Sequence, residues 1–279
     1  MAPDRTARGP AGSLVTAPHD ELLELATRLA VQAGRMVRDG RAADGVSSTS
    51  TKSSRTDMVT EFDTASEALI VGGITAARPH DGIVGEEGTD TVGTSGIRWL
   101  VDPIDGTTNF LYGLPGYAVS IAACSADDTE VGVVYVPATD ELFTASRGRG
   151  ATLNGHPIGC GSTTDLSVAL VGTGFSYQPE RRAVQARRVA AMLPRVRDIR
   201  RLGAAAADLC YVAAGRLDVY FEEFLGPWDL AAGELIAREA GCRTGDLTGG
   251  TVRPASVLAA NPALFPLAQA LIADVDAAH

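Results

Sequence analysis

Segment 101–110, VDPIDGTTNF, places two aspartates three positions apart, directly before a glycine, two threonines and an asparagine. The apolar run at 97–101 predicts a buried strand that ends where the acidic residues begin. Gly106 and the residues after it predict a short helix, whose free N–H groups attract anions. Asp102 and Asp105 would repel an anion bound at this helix start unless cations lay between the two carboxylates and the anion. The segment therefore predicts a divalent-metal and phosphate site, and Mg²⁺ prefers such hard oxygen ligands.

Further carboxylates stand at the ends of other predicted elements. Glu86 and Glu87 follow a short strand in GEEG, while Asp63 in VTEFD and Asp229 in GPWDLAAG stand at helix starts. A carboxylate at a helix start also simply complements the helix dipole. Aspartate in a turn often only bonds the local backbone. Spacing alone leaves open whether these groups converge on one rim.

Strands and helices intermix along the chain, which predicts stacked α and β layers. An amphipathic helix is expected over 20–39, ended by Gly40. The Ser/Thr-rich segment 42–57 predicts a loop or hairpin, and a second helix is expected over 61–77. Later strands are expected within 82–88, 117–124, 130–138, 141–155, 168–175, 196–203, 217–223 and 255–261, and later helices over 179–193, 204–214, 229–240 and 262–276.

Composition bounds the class of protein. The net charge of −10 over 279 residues argues against direct nucleic-acid binding. No apolar run approaches the roughly 20 residues of a membrane span, and residues 1–19 predict a disordered leader, not a secretory signal. Lys52 is the only lysine beside 23 arginines, so a specific role competes with chance. Four cysteines without a CxxC pair predict free thiols in a cytoplasmic protein: Cys124, Cys160, Cys210 and Cys242.

Four motifs together resemble the inositol monophosphatase family. DPIDGTTNF at 102–110 and WDLAAG at 228–233 resemble its paired signatures, and KSSRTDMVTEFD at 52–63 and GEEG at 85–88 match two further landmarks. The resemblance is greatest to the bacterial inositol-1-monophosphatases of the SuhB type, and the scarcity of lysine suggests an actinobacterial source. It implies a mixed α/β fold, the layered α-β-α-β-α sandwich of the inositol monophosphatase and fructose-1,6-bisphosphatase type.

The resemblance also implies a set of metal ligands for two or three Mg²⁺ ions. Asp102 would bridge two ions, Asp105 and Asp229 would favour the second, and Glu87 would bind a weaker third through water. Lithium is expected to inhibit by competing for a magnesium position. The implied ligands are Glu86, Asp102, the carbonyl of Ile104, Asp105, Asp229 and Glu87.

The implied reaction is in-line attack of a metal-activated water on a phosphate monoester, without a phosphoenzyme. Besides Glu86, Asp63 and Thr107 are the implied catalytic residues, which orient or deprotonate that water. The N–H groups of Gly106 and Thr107 would hold the phosphate. Lys52 lies in the segment that covers the metals in this family, where its amine would position waters; a solvated loop lysine is the alternative.

Polyol recognition is implied for residues of the second half. Glu222 stands where the family places a glutamate against inositol hydroxyls, and Asp229 also faces the substrate. Gly203, Ala204 and Ala205 match the segment lining the sugar side, but relatives commonly have threonine at position 204, which puts fine specificity in doubt. We therefore expect an N-terminal half, 20–150, with most metal ligands and a C-terminal half, 151–279, with Asp229 and the substrate side.

The substrate predicted first is myo-inositol 1-phosphate. Histidinol phosphate and 3'-phosphoadenosine 5'-phosphate are the rivals, the latter ranked lower because that branch usually has leucine at the position of Ile104. Fructose 1,6-bisphosphate is a side substrate to test.

A non-enzymatic role as a partner of the transcription machinery is the alternative from another class. The family implies a homodimer, and no GxSxG or GxxxxGK[ST] motif supports a serine hydrolase or P-loop enzyme.

Overall fold

The computed structural model describes residues 18–52, 58–126 and 128–277. The helices are α1 (Pro18–Asp44), α2 (Glu61–Ala77), α3 (Thr107–Tyr112), α4 (Pro179–Met192), α5 (Ala205–Ala213), α6 (Pro227–Glu239) and α7 (Leu264–Ala277). The strands are β1 (Thr49–Thr51), β2 (Met58–Thr60), β3 (Gly82–Gly85), β4 (Asp90–Thr91), β5 (Arg98–Asp105), β6 (Ala118–Cys124), β7 (Thr129–Val136), β8 (Glu141–Ser146), β9 (Ala151–Leu153), β10 (His156–Pro157), β11 (Leu170–Thr173), β12 (Asp198–Arg200), β13 (Val219–Glu223), β14 (Arg243–Gly245) and β15 (Ser256–Ala260).

Two main sheets organise the described chain. The first has eight strands in the order β10-β9-β8-β7-β6-β5-β3-β4, antiparallel except for the parallel pair β3–β5. The second has five strands in the order β12-β11-β13-β15-β14, and β11 runs parallel to both of its neighbours. A separate hairpin joins β1 and β2. These pairings place the C-terminal ends of β3 and β5 side by side.

Helices cover both faces of each sheet. On the outer face of the first sheet, α1 and α2 bury an apolar layer that includes Leu22, Ile70, Trp99 and Ile121. Between the sheets lie α5 and α6, whose small side chains fill the central core. On the outer face of the second sheet, α4 and α7 complete the stack. The predicted α-β-α-β-α sandwich is therefore confirmed.

The predicted end of α1 is wrong. The helix continues through Gly40 to Asp44. A Cβ at Gly40 would lie 2.5 Å from Cε1 of Phe62, so this glycine permits close approach to α2 and does not end the helix. The helix begins at Pro18, so the last two residues of the expected leader are helical, and residues 1–17 lie outside the described part of the chain.

The predicted end of the strand before the acidic segment is also wrong. β5 runs on through Asp105, since this segment still pairs with β6 after an irregularity between Asp102 and Asp105. The first sheet extends to Pro157, past the expected boundary at residue 150, and the division into halves stays a proposal.

In the described ranges, no helix combines the length and apolar character needed to cross a membrane.

Candidate metal and phosphate site

Three carboxylates converge where the first sheet meets the central helices. Asp102, Asp105 and Asp229 each present one oxygen such that all three oxygens lie within 4.8 Å of one another. The first two come from β5 and are buried, while the third comes from the first turn of α6 and is half-buried. Of the further carboxylates whose convergence the spacing left open, the fold thus brings Asp229 to Asp102 and Asp105.

The irregularity in β5 explains how Asp102 and Asp105 reach the same site. Residues three apart in a regular strand point to opposite faces of the sheet. Here the register against β6 shifts between these two aspartates, which changes the alternation locally. Oδ1 of Asp102 accepts a hydrogen bond of 3.1 Å from the N–H of Ile104, so the bulged backbone also orients its carboxylate.

Helix starts orient the other two carboxylates. Asp105 accepts hydrogen bonds from the N–H groups of Ala205 (3.0 Å) and Ala206 (2.7 Å) at the start of α5. Asp229 accepts one of 2.6 Å from the N–H of Gly226 at the start of α6. The positive end of each helix stabilises the ionised acid, and each carboxylate oxygen keeps a further lone pair.

The close, buried carboxylates of the cluster favour binding of a cation. Burial raises the pKa of Asp102 well above its ordinary value, and the charges of Glu86 and Asp105 raise that pKa further. Burial, followed by the charge of Asp229, raises the pKa of Asp105. Close carboxylates in a buried site cannot all stay ionised without a counter-charge. An oxygen-only, acidic ligand set fits Mg²⁺ better than metals that prefer nitrogen or sulfur.

Glu86 and Glu87 extend the acidic site beyond the end of β3. The ammonium of Lys52 lies 2.9 Å from Oε1 of Glu86 and 2.5 Å from Oε1 of Glu87. Burial raises the pKa of Glu86 against the opposing charge of Lys52, and burial raises the pKa of Glu87 to about 7. The lone lysine is therefore no isolated surface cation, because it pairs with both of the glutamates in the GEEG motif.

Asp63 and Thr107 form a hydrogen-bonded pair beside the cluster. Oγ1 of Thr107 lies 3.0 Å from Oδ1 of Asp63 and also 3.0 Å from the carbonyl of Ile104, so its one proton has two possible acceptors. The other oxygen of Asp63 accepts bonds from the N–H (2.8 Å) and hydroxyl (2.5 Å) of Thr60, as part of the capping box of α2. Burial raises the pKa of Asp63.

Gly106 makes the tight turn between β5 and α3. Its φ is +89°, and a Cβ there would lie 2.9 Å from the carbonyl oxygen of Gly116 and 3.0 Å from that of Gly203. L-residues with side chains rarely adopt this backbone conformation. Asn109 donates a 2.7 Å hydrogen bond to the carbonyl of Leu202, which ties α3 to the segment before α5. The segment expected to hold the phosphate, at Gly106 and Thr107, is therefore hydrogen-bonded through Asn109 to the segment expected to line the sugar.

A cavity of about 330 Å³ lies over these groups and brings together most of the predicted site residues. Glu222 lines it, oriented by a hydrogen bond from the hydroxyl of Tyr220. Burial raises the pKa of Glu222 to about 7. The predicted residues that line the cavity are Lys52, Glu86, Asp102, Ile104, Asp105, Gly106, Thr107, Gly203, Ala205, Glu222 and Asp229.

Three predicted residues do not line the cavity. Asp63 and Glu87 lie one layer behind it, in contact with Thr107 and Lys52 respectively. The methyl group of Ala204 faces the turn at Gly106 and the central core. A side chain at position 204 therefore contacts the turn at Gly106 and does not line the cavity.

Two arginines, Arg201 and Arg181, also line the cavity. Arg201 lines the cavity, whereas its neighbour Arg200 pairs with Asp198 at 2.5 Å on the surface. Arg181 lines the cavity with its guanidinium 4.0 Å from the centre of the Phe224 ring. No motif pointed to Arg181 or Phe224, because the contact joins α4 to the end of β13.

Comparisons with known proteins give consistent matches over most of the chain. The sequence model of the inositol monophosphatase family matches residues 19–278. The inositol-1-monophosphatase SuhB of Mycobacterium tuberculosis is 45% identical over 82% of this chain and 86% of its own. The Nus factor SuhB of Escherichia coli is 42% identical over 86% of this chain and 91% of its own. The solved Thermotoga maritima IMPase superposes with a TM-score of 0.85 at 30% identity, covering 92% of this chain and 99% of that one.

Proposed function

The chain belongs to the inositol monophosphatase family, and from that premise we propose that it hydrolyses myo-inositol 1-phosphate to myo-inositol and phosphate with Mg²⁺. The observation that carries the proposal is the cluster of Asp102, Asp105 and Asp229, which opens into the same cavity as Glu222. A phosphorylated polyol requires carboxylates that bind cations beside the phosphate and a polar group, here the half-buried Glu222, that recognises hydroxyls.

The acidic groups are proposed to hold two or three Mg²⁺ ions. Asp102 would be suited to bridging two ions, because it lies close to Asp105 and Asp229 and the charge of Glu86 also acts on it. The carbonyl of Ile104 completes this set, and Glu87 serves a weaker third position. When bound, such ions neutralise phosphoryl oxygens, lower the pKa of water and stabilise a leaving alkoxide.

The residues of the chain position the reactants around that charge. In the proposed state Thr107 donates its hydroxyl hydrogen bond to Asp63, and the Oγ1 lone pairs accept a hydrogen bond from the attacking water. The proton of that water can then pass through Thr107 to Asp63. The N–H groups of Gly106 and Thr107 are proposed to hold the phosphate, and Lys52 to order waters near Glu86.

The polyol is proposed to lie between β13 and the start of α5. Glu222 is proposed to accept hydrogen bonds from its hydroxyls, and Gly203 and Ala205, which line the same cavity, to form a further part of the wall, with Ala204 between them facing the turn at Gly106. Asp229 lies between the two regions and contacts the ester side. Arg201 adds a positive charge to the cavity, so a substrate with a second anionic group remains acceptable.

A substrate panel tests this proposal. Purified protein would be assayed with Mg²⁺ on myo-inositol 1-phosphate, histidinol phosphate, 3'-phosphoadenosine 5'-phosphate and fructose 1,6-bisphosphate. We expect the highest kcat/KM for inositol phosphate, loss of turnover with EDTA and inhibition by millimolar Li⁺. Negligible turnover of inositol phosphate beside efficient turnover of a rival would transfer the proposal to that rival.

A regulatory role is the second candidate, because the E. coli relative is named as a Nus factor. Under this proposal the fold contacts transcription proteins independently of catalysis. Cells that carry an inactive Asp102→Asn variant in place of the wild-type chain separate the two roles. A phenotype like that of the deletion strain supports hydrolysis, and a wild-type phenotype supports the regulatory role. A homodimer and a cytoplasmic location stay predictions that rest on the family.

A further inference from the structure

The face of α2 that carries Asp63 also carries Ser66 and Glu67, at spacings of three and four residues. Side chains at these spacings lie on one face of a helix. All three are buried, and each contacts a different part of the site. Asp63 contacts Thr107 of α3, whereas the hydroxyl of Ser66 donates a 3.0 Å hydrogen bond to the carbonyl of Pro103 within β5.

Glu67 contacts the turn that carries the paired glutamates. One carboxylate oxygen accepts a 2.7 Å hydrogen bond from the N–H of Glu87. The other accepts bonds from the N–H (3.2 Å) and hydroxyl (2.6 Å) of Thr89. All three partners are donors, so both oxygens act as acceptors, as in an ionised carboxylate. Glu67 is only 5% exposed, so water does not compete readily for these bonds.

The neighbouring backbone is shaped to admit this carboxylate. A Cβ at Gly85 would lie 2.3 Å from Oε2 of Glu67, so only glycine allows the carboxylate to lie against the turn. The N–H of Glu86 is bonded instead to the carbonyl of Val101 in β5. The sheet therefore holds Glu86, while the contact from α2 holds Glu87.

We propose that Glu67 is a positioning residue, which fixes the turn at 85–89 so that Glu86 and Glu87 present their carboxylates to divalent cations and to Lys52. This inference rests on the proposed function for the identity of the cations, but the contacts themselves do not. Glu67 touches neither substrate nor the reacting atoms. Hydrogen bonds to groups that carry metal ligands typically change metal affinity about 10–100-fold when they are removed.

The variant Glu67→Gln tests the inference with little change of shape. An amide has one acceptor oxygen, so its NH₂ group must face either the Glu87 N–H or the Thr89 donors. We expect the Mg²⁺ concentration for half-maximal activity to rise at least about tenfold, with kcat at saturating Mg²⁺ close to that of the wild type. A milder variant, Thr89→Val, removes only the hydroxyl donor and should shift Mg²⁺ dependence less, in the same direction.

A matched control exists on α6. Glu239 accepts hydrogen bonds from the N–H groups of Gly148 (2.7 Å) and Gly150 (2.8 Å) in another turn, far from the cavity. Glu239→Gln therefore makes the same chemical change to a carboxylate that holds a turn. It should leave the Mg²⁺ dependence unchanged, and an equal shift in this control would attribute the Glu67 effect to general stability.

Two measurements without substrate make the result independent of catalysis. Residue-level amide exchange in metal-free protein should show faster exchange at Glu87 and Thr89 in Glu67→Gln, with the amide of Glu86 still protected. Calorimetric titration with Mg²⁺ should show weaker binding than in the wild type. Unchanged exchange and Mg²⁺ affinity in both the Glu67 and Thr89 variants would overturn the inference. Absence of Mg²⁺ binding by the wild type would instead overturn the proposed function.

Discussion

Oγ1 of Thr107 lies 3.0 Å from Oδ1 of Asp63, although the two residues are 44 positions apart in the chain. The contact links the first turn of α3 to the first turn of α2, so a threonine beside the carboxylate cluster has a buried proton acceptor next to it. Asp63 is in turn held by Thr60 through both a backbone and a hydroxyl bond. The orientation of the acceptor is thus determined before substrate binds.

The first prediction concerns this pair. Thr107→Val keeps the shape of the side chain but removes the hydroxyl that is proposed to relay a proton to Asp63. We expect kcat to fall about 10²–10⁴-fold, the usual contribution of a positioned acid–base group, with KM nearly unchanged. Steady-state kinetics measure both quantities. Thr108→Val makes the same change one position later and should keep near wild-type activity; equal losses in the two variants would contradict the role of Thr107.

A second prediction concerns the repulsion among the buried carboxylates. Asp102→Asn removes a carboxylate whose pKa is raised by burial and by the charges of Glu86 and Asp105. The metal-free variant should therefore unfold at a higher temperature than the metal-free wild type. With Mg²⁺ the order should reverse, and kcat should fall by about 10² or more, because several kcal/mol of transition-state stabilisation depend on bound metal.

Thermal unfolding with EDTA and with Mg²⁺ measures this reversal. Asp198→Asn is the control, because Asp198 lies on the surface of β12 and pairs with Arg200. Its unfolding temperature should respond to Mg²⁺ as that of the wild type does. If metal-free Asp102→Asn is less stable than the wild type, the carboxylates do not repel one another as the structure indicates.

The third prediction concerns pH and Glu222. Burial raises the pKa of this glutamate to about 7 from an ordinary 4.5, so the folded chain holds its proton more tightly than the unfolded chain does. Its contribution to stability is therefore full below about pH 4.5 and lost as the pH rises through about 7. The unfolding temperature of the metal-free wild type should fall more between pH 5 and pH 8 than that of Glu222→Gln.

Ionisation of Glu222 should also act on substrate binding. The carboxylate accepts hydroxyl hydrogen bonds better than the acid does, so KM for inositol phosphate should fall as the pH rises through about 7. In Glu222→Gln this step should disappear. Because p-nitrophenyl phosphate has no polyol hydroxyls, its KM should follow pH alike in both proteins. A Glu222→Gln variant that retains the step would exclude this residue as its source.

A fourth prediction concerns the turn at Gly106. Gly106→Ala places a side chain at a φ of +89° and within 3.0 Å of two carbonyl oxygens. The backbone conformation alone costs about 1–2 kcal/mol, and the overlap adds about 1–3 kcal/mol. Denaturant unfolding should show both losses. Gly148→Ala, at a φ of +75° with open space around it, should show only the first; equal losses in the two variants would mean that the turn relaxes.

Local patterns predicted the elements well where one signal dominated. The bounds of α2 follow from the acidic capping residues at its start and from Pro79 after its end, and the structure confirms both. Gly40 misled because glycine ends helices and also permits close packing, and sequence periodicity does not distinguish these uses. The end of β5 was missed because a bulge, which keeps Asp102 and Asp105 on the strand, leaves no simple alternation.

The residue types of the candidate site were predictable from motifs, but only some of the residues that support them left a sequence signal. Motifs pointed to the carboxylates of the cluster, since acidic residues at element ends are conspicuous. Glu67 lies on a predicted helix, four positions after Asp63, and that spacing was a usable signal. Arg181 and Phe224 meet only through the packing of α4 beside β13, so no local pattern contained their contact.

The most direct test of the account is a calorimetric titration of the metal-stripped chain with Mg²⁺, for the wild type and Asp102→Asn. The wild type should bind at least two ions, because Asp102 lies where carboxylates from β5, α6 and the end of β3 meet. The variant should lose this binding while its fold, checked by circular dichroism, is unchanged. A wild type that takes up no Mg²⁺, or a variant that binds it equally well, would contradict the central claim.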